Sequence, residues 1–188
     1  MVNGELYDFE RLRASPLCSG FPFRSDSDSE TLLALYSKLG IRDTLPHLRG
    51  EFAFVLHDEQ RGKLYAVRDR YGVKPMYYGF TSQGQLAVSS EVKGLLAMGC
   101  KARWDLFRAV NEGWRLDNGH LLQGVRWVKP GWMLEVDLNT GTIEEKCWYE
   151  RRFPLIVSRQ SLHIVIGSRN ADTIDPCSQT VTTRDSTR

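Results

Sequence analysis

The stretch at residues 67–78 places the tightest limits on how this chain can fold. Apolar and aromatic β-formers flank a charged run, Arg-Asp-Arg-Tyr-Gly-Val-Lys-Pro, which is short enough to join two strands. Gly72 can adopt backbone angles that other residues avoid, and Pro75 fixes its own φ and favours an extended residue before it. The pattern predicts a strand, a tight connection and a second strand. On composition alone, a charged hairpin loop is the simplest interpretation.

Further strands are indicated by apolar runs bounded by turn-forming residues. Met1 and Val2 are typical of a strand end, whereas Asn3-Gly4 taken alone favours a β-turn. The other predicted strands cover residues 52–56, 63–68, 86–89, 132–137 and 142–146.

Helices are predicted where apolar side chains recur every three to four residues. The best-defined helix follows the capping box Ser27-Asp-Ser-Glu30, in which a hydroxyl and a carboxylate satisfy first-turn N–H groups, and it ends at Gly40. A second helix is predicted from an N-cap at Ser90 to Gly99. Shorter helices are predicted at residues 8–15, 42–47 and 104–110.

Composition excludes several classes of protein. At 188 residues with 41% hydrophobic side chains, the chain can bury one core, so one domain and a tail are expected. The net charge of +2 is small and dispersed, which argues against a nucleic-acid partner. Without a long apolar run or a secretory leader pattern, we expect a soluble, cytoplasmic protein with no membrane partner. The four scattered cysteines favour reduced thiols over a disulfide framework or a zinc site.

Four motifs, taken in order, connect the chain to a known family. They are Asn-Gly-Glu-Leu-Tyr at 3–7, Leu-Arg-Gly-Glu-Phe-Ala-Phe-Val-Leu-His-Asp at 48–58, the charged run at 68–75, and Val-Ser-Ser-Glu-Val-Lys-Gly-Leu-Leu at 88–96. Each motif is weak alone. The ordered set, from about Val2 to about Phe153, resembles the glutaminase domain of glutamine-hydrolysing asparagine synthetase, a class II glutamine amidotransferase.

The resemblance implies an α+β fold, the four-layer α/β/β/α sandwich of N-terminal-nucleophile hydrolases with two mainly antiparallel sheets. Residues 1–153 would form this domain, incomplete at the N-terminus because the family's first strands would precede Met1. The unpaired sheet edge that results predicts poor solubility or association. From residue 154 onward no apolar period lasts, so 154–188 is predicted to be a disordered or non-homologous tail.

The family attacks the glutamine carboxamide with a thiolate at residue one of the mature chain, whose own α-amino group acts as the base. Here Met occupies position 1 and Val position 2. The nearest cysteine, Cys18, is better explained as a structural or free thiol than as a nucleophile. We therefore expect no glutaminase activity from this polypeptide by itself.

The family's substrate-binding residues have counterparts in this sequence. By resemblance, the Asn3 side-chain amide and the Gly4 backbone N–H would face the developing oxyanion, and Glu5 would contribute to the glutamine site. Asp28 matches the position that accepts hydrogen bonds from the substrate α-ammonium group, which requires a counter-charge. Asp28 is also explained as a first-turn acid favoured by the helix dipole, and the two roles are compatible.

Other polar clusters are weaker candidates. Arg68, Asp69, Arg70 and Lys74 suggest an anion or nucleotide site, but opposite charges in one turn more often pair with each other and with the backbone. The histidines share no spacing that favours a metal site or a catalytic triad, so no metal is predicted.

The function implied by the resemblance is glutamine hydrolysis that supplies ammonia for asparagine biosynthesis. L-Glutamine is the expected ligand, and a synthetase subunit or a second copy is the expected protein partner. No cofactor is expected here, because the family's ATP and Mg²⁺ bind a synthetase domain whose Ser-Gly-Gly-x-Asp-Ser loop this sequence lacks.

The alternative is a non-catalytic fragment or pseudo-enzyme that binds glutamine or a subunit. A third interpretation is an amidotransferase of glucosamine phosphate or purine synthesis, which the motifs at 68–75 and 89–93 disfavour.

Overall fold

A computed structural model describes residues 1–112 and 121–151, so the predicted tail at 154–188 lies outside the described residues. The strands are β1 (Val2–Leu6), β2 (Gly50–Asp58), β3 (Lys63–Arg68), β4 (Tyr77–Phe80), β5 (Leu86–Ser89), β6 (Arg103–Trp104), β7 (Leu122–Gln123), β8 (Val125–Trp127), β9 (Trp132–Asp137) and β10 (Ile143–Cys147). The α-helices are α1 (Phe9–Arg13), α2 (Asp28–Thr44) and α3 (Val92–Ala97). Shorter helical turns cover Pro16–Cys18, Leu45–His47 and Arg108–Glu112.

Two antiparallel sheets stack face to face. The larger sheet has the strand order β1-β2-β3-β9-β10, and the smaller has the order β5-β4-β8. Ala53, Ala66 and Leu134 of the larger sheet pack with Met76 and Tyr78, which belong to the start of β4 and the connection before it. This buried layer holds the two sheets together.

Helices cover the outer faces of both sheets. Leu35 of α2 lies in one buried cluster with Phe52 and Phe54 of the larger sheet. Leu95 of α3 lies in another cluster, with Ala87 of the smaller sheet. The layers are therefore helix, sheet, sheet, helix, and the predicted α/β/β/α sandwich of mainly antiparallel sheets is confirmed.

The charged run at 68–75 is not a hairpin loop, so the simplest interpretation of its composition is wrong. β3 pairs with β2 and β9, whereas β4 pairs with β5 and β8. The run therefore carries the chain from one sheet to the other. Where such a connection is buried, its backbone groups must find hydrogen-bond partners in the protein.

Two buried charged side chains supply those partners. The Asp69 carboxylate, which is 0% exposed, accepts hydrogen bonds from the N–H groups of Tyr71, Val73 and Lys74 at 2.9, 3.1 and 3.0 Å. The Arg68 guanidinium donates to three backbone carbonyls, at distances of 2.7, 2.8 and 2.9 Å; they belong to Gly72, Lys74 and Val128. Both side chains are thus committed to backbone groups, which favours a structural role over an anion site.

Helix α2 begins where the sequence predicts, but both contacts of its cap differ from those of a capping box. The Ser27 hydroxyl accepts a hydrogen bond at 3.3 Å from the N–H of Ser29, and not from that of Glu30 as a capping box requires. The Glu30 carboxylate instead reaches farther back and accepts from the N–H groups of Arg24 and Ser25, both at 2.8 Å. Glu30 therefore fastens the preceding loop to the helix.

Other boundaries depart from prediction in identifiable ways. Gly40 interrupts α2 with φ 75°, as expected of a C-cap, although a further helical turn follows directly. The N-cap of α3 is Glu91 and not Ser90, because the Ser89 hydroxyl accepts the Glu91 N–H and extends the turn by one residue. The predicted helix at 104–110 is displaced towards the C-terminus, to the helical turn Arg108–Glu112, because Trp104 pairs with β7. Among residues 1–112 and 121–151, no helix combines the length and hydrophobicity needed to cross a membrane.

Candidate functional site

Asn3, Gly4 and Glu5 lie inside β1 and do not form a β-turn. β1 pairs with β2 in antiparallel register, with Asn3 opposite Ala53 and Gly4 opposite Phe52. The local turn preference of Asn-Gly is overridden because every residue from 2 to 6 has a partner on the neighbouring strand.

The pairing fixes which backbone groups of β1 remain available. In an antiparallel pair, residues alternate between bonding to the partner strand and pointing away from it. Met1 exchanges backbone hydrogen bonds with Val55 at 3.0 and 2.9 Å, and Tyr7 donates to the Arg49 carbonyl at 2.7 Å. Odd-numbered residues therefore bond to β2. The even-numbered residues of β1 are Val2, Gly4 and Leu6. Their N–H and C=O groups point to the outer edge of the sheet, where β1 has no neighbour among the described strands.

Asp28, the first residue of α2, reaches this same edge. Its Oδ2 accepts the Leu6 N–H at 2.7 Å, and its Oδ1 accepts the Ser29 N–H at 2.6 Å. A strand rises about 3.4 Å per residue, so the outward N–H of Gly4 lies roughly 7 Å from that of Leu6. The structure thus brings Gly4 and Asp28 to one edge.

Asn3 and Glu5 lie on the adjoining face and not at the edge itself. Asn3 is opposite Ala53, whose side chain belongs to the layer between the sheets, so both point towards the smaller sheet. Asn3 lines a hollow of about 280 Å³ there, together with Ser89 and Ser90. The exposed Glu5 follows two residues later on the same face.

Sequence reasoning assigned no role at this site to Glu51 or to Lys74. Glu51 is directly opposite Glu5, and like charges in that position repel. The Lys74 Nζ lies 3.6 Å from the Glu51 Oε1 and offsets part of this repulsion. Glu51 lies within the recognised motif at 48–58, which could have indicated it. The position of Lys74 depends on the path of the loop between the sheets.

Gly4 is required by the close approach of β1 and β2. Its φ of 130° lies in a region that L side chains rarely adopt, and a Cβ there would overlap the Glu51 carbonyl oxygen.

None of the described thiols is exposed at this edge. Cys18 is buried in the core with α2, and that burial raises the pKa of its thiol, which keeps it protonated and a poor nucleophile. Cys100 is buried beneath the smaller sheet. Cys147 is on β10, at the opposite edge of the larger sheet. Four strand spacings put it about 19 Å from β1.

No group of His, Cys, Asp and Glu able to hold a metal ion is found within the described part of the chain. His120, His163 and Cys177 lie outside the described residues.

Residues 1–149 match the glutamine amidotransferase domain family. Amidase chry2 of Gibberella zeae is 46% identical over 131 residues, which cover 70% of this chain and 19% of that protein. Amidase chyE of Penicillium rubens is 41% identical over 172 residues, or 90% of this chain and 25% of that protein. The chain therefore spans about a fifth to a quarter of these two relatives.

Asparagine synthetase [glutamine-hydrolyzing] of Gallus gallus is 42% identical over 94 residues, which cover 50% of this chain and 16% of that protein. Among solved structures, the glutamine phosphoribosylpyrophosphate amidotransferase from B. subtilis matches with a TM-score of 0.59 and 21% identity, over 80% of this chain and 29% of that one. At that identity the structural likeness concerns the fold alone.

Proposed function

Because the chain belongs to the glutamine amidotransferase domain family, we propose that it binds L-glutamine at the open edge of β1. The α-ammonium group of the ligand lies on Asp28, and its side-chain carbonyl oxygen receives the Gly4 N–H and the Asn3 amide. Glu5 flanks the ligand on the adjoining face. The observation that carries this proposal is the 2.7 Å hydrogen bond from the Leu6 N–H to Asp28, which puts a carboxylate on the same edge as the outward N–H of Gly4.

The spacing along the edge suits this ligand. In extended L-glutamine the α-nitrogen and the side-chain carbonyl oxygen are about 5–6 Å apart, as standard bond lengths require. Gly4 and Leu6 are separated by a similar distance, roughly 7 Å. One ligand can therefore accept from Gly4 and donate to Asp28 at the same time.

Charge also favours an amino acid with a free ammonium group. Asp28 already accepts two backbone N–H groups, and a carboxylate has further lone pairs to offer. Glu5 and Glu51, opposite each other on the adjoining face, add two negative charges, of which Lys74 offsets one. A cation is therefore better accommodated here than an anion.

We propose further that the 188-residue polypeptide binds glutamine without hydrolysing it. The described thiols are buried or lie across the sheet, so none of them is placed to attack a carboxamide at this edge. In a whole protein of this family, the released ammonia would serve asparagine synthesis on a synthetase domain or subunit, which would bind ATP and Mg²⁺. No cofactor is proposed for the present chain.

Calorimetric titration of the purified chain with L-glutamine tests the binding. Asp28→Asn keeps the size of the side chain and an acceptor for Leu6 but removes the charge, so affinity should fall at least about tenfold. Asp26→Asn is the matched control, because Asp26 is fully exposed two residues earlier in the same loop, and it should leave affinity unchanged.

Equal affinity in the Asp28 and Asp26 variants would contradict the site. Ammonia release that Asp28→Asn abolishes would show instead that the site is catalytic and that the proposal of binding without turnover is wrong.

A second candidate, hydrolysis of an amide other than glutamine, is favoured by the two fungal amidases, which match more of the chain than the synthetase does. Butyramide has the carboxamide of glutamine but lacks its ammonium and carboxylate groups. Binding of butyramide as tightly as L-glutamine, unaffected by Asp28→Asn, would support this candidate and reject the glutamine site.

A further inference from the structure

A hollow of about 280 Å³ opens between the two sheets beside the start of β1, and we call it the inter-sheet hollow. Asn3 lines it on the side of the larger sheet, and Val88 and Ser90 line it on the side of the smaller sheet. Ala53 and Met76, which belong to the buried layer between the sheets, also line it. Apolar side chains make up most of the described lining.

The inter-sheet hollow adjoins the proposed glutamine site at the end farther from Asp28. Asp28 meets the edge at Leu6, the carbonyl oxygen of the ligand is assigned to Gly4, and the hollow begins at Asn3. A second hollow, of about 460 Å³ beside α2, does not include Asn3. Since the Asn3 amide also holds the carbonyl oxygen in the proposed site, the amide nitrogen of the ligand lies next to the inter-sheet hollow.

The volume of the inter-sheet hollow exceeds what a free carboxamide needs. A water molecule takes up about 30 Å³ in the liquid, and an NH₂ group is of similar size. Pockets for small ligands begin at about 300 Å³. The inter-sheet hollow, at about 280 Å³, therefore has room for a substituent of several carbon atoms on the amide nitrogen.

The geometry of an amide directs such a substituent towards the hollow. A secondary amide is almost always trans, so its N-substituent lies on the same side of the C–N bond as the carbonyl oxygen. In the proposed site that oxygen is held by Gly4 and Asn3, both on β1. The substituent therefore points towards the strand and away from Asp28.

We propose that the site accepts L-glutamine derivatives with a small apolar substituent on the amide nitrogen, and that the inter-sheet hollow holds this substituent. The proposal rests on the proposed glutamine site and specifies its ligand class, the γ-glutamyl alkylamides. Because most of the lining is apolar, each CH₂ group that enters the hollow exchanges water for an apolar surrounding, which favours binding.

Calorimetric titration of the full 188-residue chain with L-glutamine, γ-L-glutamylmethylamide and γ-L-glutamylethylamide tests the proposal. Affinity should rise along this series by about fourfold for each carbon atom added, as expected when a CH₂ group is buried. The comparison uses the native chain, so it does not depend on the folding of a variant. Affinities that are equal, or that fall from L-glutamine to the ethylamide, would overturn the proposal.

Two variants test whether the inter-sheet hollow is the space that the substituent occupies. Ser90→Phe fills this hollow with an aromatic side chain, so the ethylamide should lose its advantage over L-glutamine. Ser25→Phe makes the same change in the hollow beside α2, which Ser25 lines, and it should keep the advantage. An advantage that survives in Ser90→Phe, or that disappears in Ser25→Phe, would overturn the proposal.

Asp28→Asn separates this proposal from that of the glutamine site. It should weaken L-glutamine and the ethylamide by the same factor, because both place an ammonium group on Asp28. Failure of all three ligands to bind would reject the glutamine site and the alkylamide proposal together. Binding of L-glutamine that Asp28→Asn weakens, with no gain from the ethyl group, would reject the alkylamide proposal alone.

Discussion

The charged run at 68–75 and the start of the chain differ in how they use their polar groups. In the run, Arg68 and Asp69 turn inward and bond to backbone groups of their own loop and of residue 128. At the start of the chain, Gly4 and Val2 belong to a strand whose alternate N–H groups point outward. The run is the more conspicuous of the two in the sequence. The outward backbone N–H groups, however, belong to the strand at the start of the chain.

The difference shows that a high density of charged residues does not by itself indicate where a fold leaves hydrogen-bonding groups available. A buried loop needs charged side chains to satisfy its own N–H and C=O groups, and those side chains are then unavailable for other partners. A strand at a sheet edge has the opposite property, since half of its backbone groups have no partner within the sheet.

The largest expected effect is that of Asp69→Ala. It leaves three partly buried N–H groups without an acceptor and removes the counter-charge beside buried Arg68, so the free energy of unfolding should fall by about 3–5 kcal/mol. Urea unfolding measures this, with exposed Asp26→Ala as the control. A loss no greater than that of the control would mean that the run is not the structural connection described above.

The next largest effect is expected at Gly4. A Cβ there overlaps the Glu51 carbonyl oxygen, so Gly4→Ala should cost about 2–3 kcal/mol of stability and push β1 away from β2. Gly84 also has a positive φ, of 79°, but has open space around it, so Gly84→Ala should cost only about 1 kcal/mol. Thermal unfolding of both variants separates close approach from backbone strain, and equal losses would remove the argument for tight pairing at Gly4.

A smaller effect on stability is expected at Asp28. This carboxylate is only half-buried and caps the Leu6 and Ser29 N–H groups, so Asp28→Ala should lower the free energy of unfolding by about 1 kcal/mol. Urea unfolding of Asp28→Ala and Asp69→Ala under the same conditions compares the stability that each carboxylate contributes. A loss as large as that at Asp69 would indicate that Asp28 is structural, like the run, and would weaken the case for a ligand there.

The smallest effect concerns Asp58, outside both regions. Its hydrogen bonds from Tyr36, at 2.5 Å, and from Arg61 lower the pKa of its carboxyl from 3.8 to about 2. A depressed pKa contributes stability above pH 3.8 that is lost as the pH falls towards 2. The melting temperature of Asp58→Asn should therefore approach that of the native chain as the pH is lowered from 5 to 2. A constant difference over this range would contradict the assignment.

Much of the fold could be predicted because local signals and tertiary contacts agree. The strands at 52–56, 63–68, 86–89 and 132–137 and the helix beginning after Ser27 are confirmed. The resemblance to class II glutamine amidotransferases is also confirmed. Predictions failed where a local preference met a stronger distant contact, as at Asn3-Gly4, where β2 replaced the expected turn.

The sequence by itself determined which residues are candidates for the proposed glutamine site: an Asn-Gly pair, a glutamate after it and an aspartate in a helix cap. The tertiary structure alone decided that Gly4 points outward and that Asp28 meets the same edge through Leu6. The reason is physical. The direction of each N–H in β1 is set by the register of β1 against β2, which lies some fifty residues later in the chain, and no local sequence pattern determines that register.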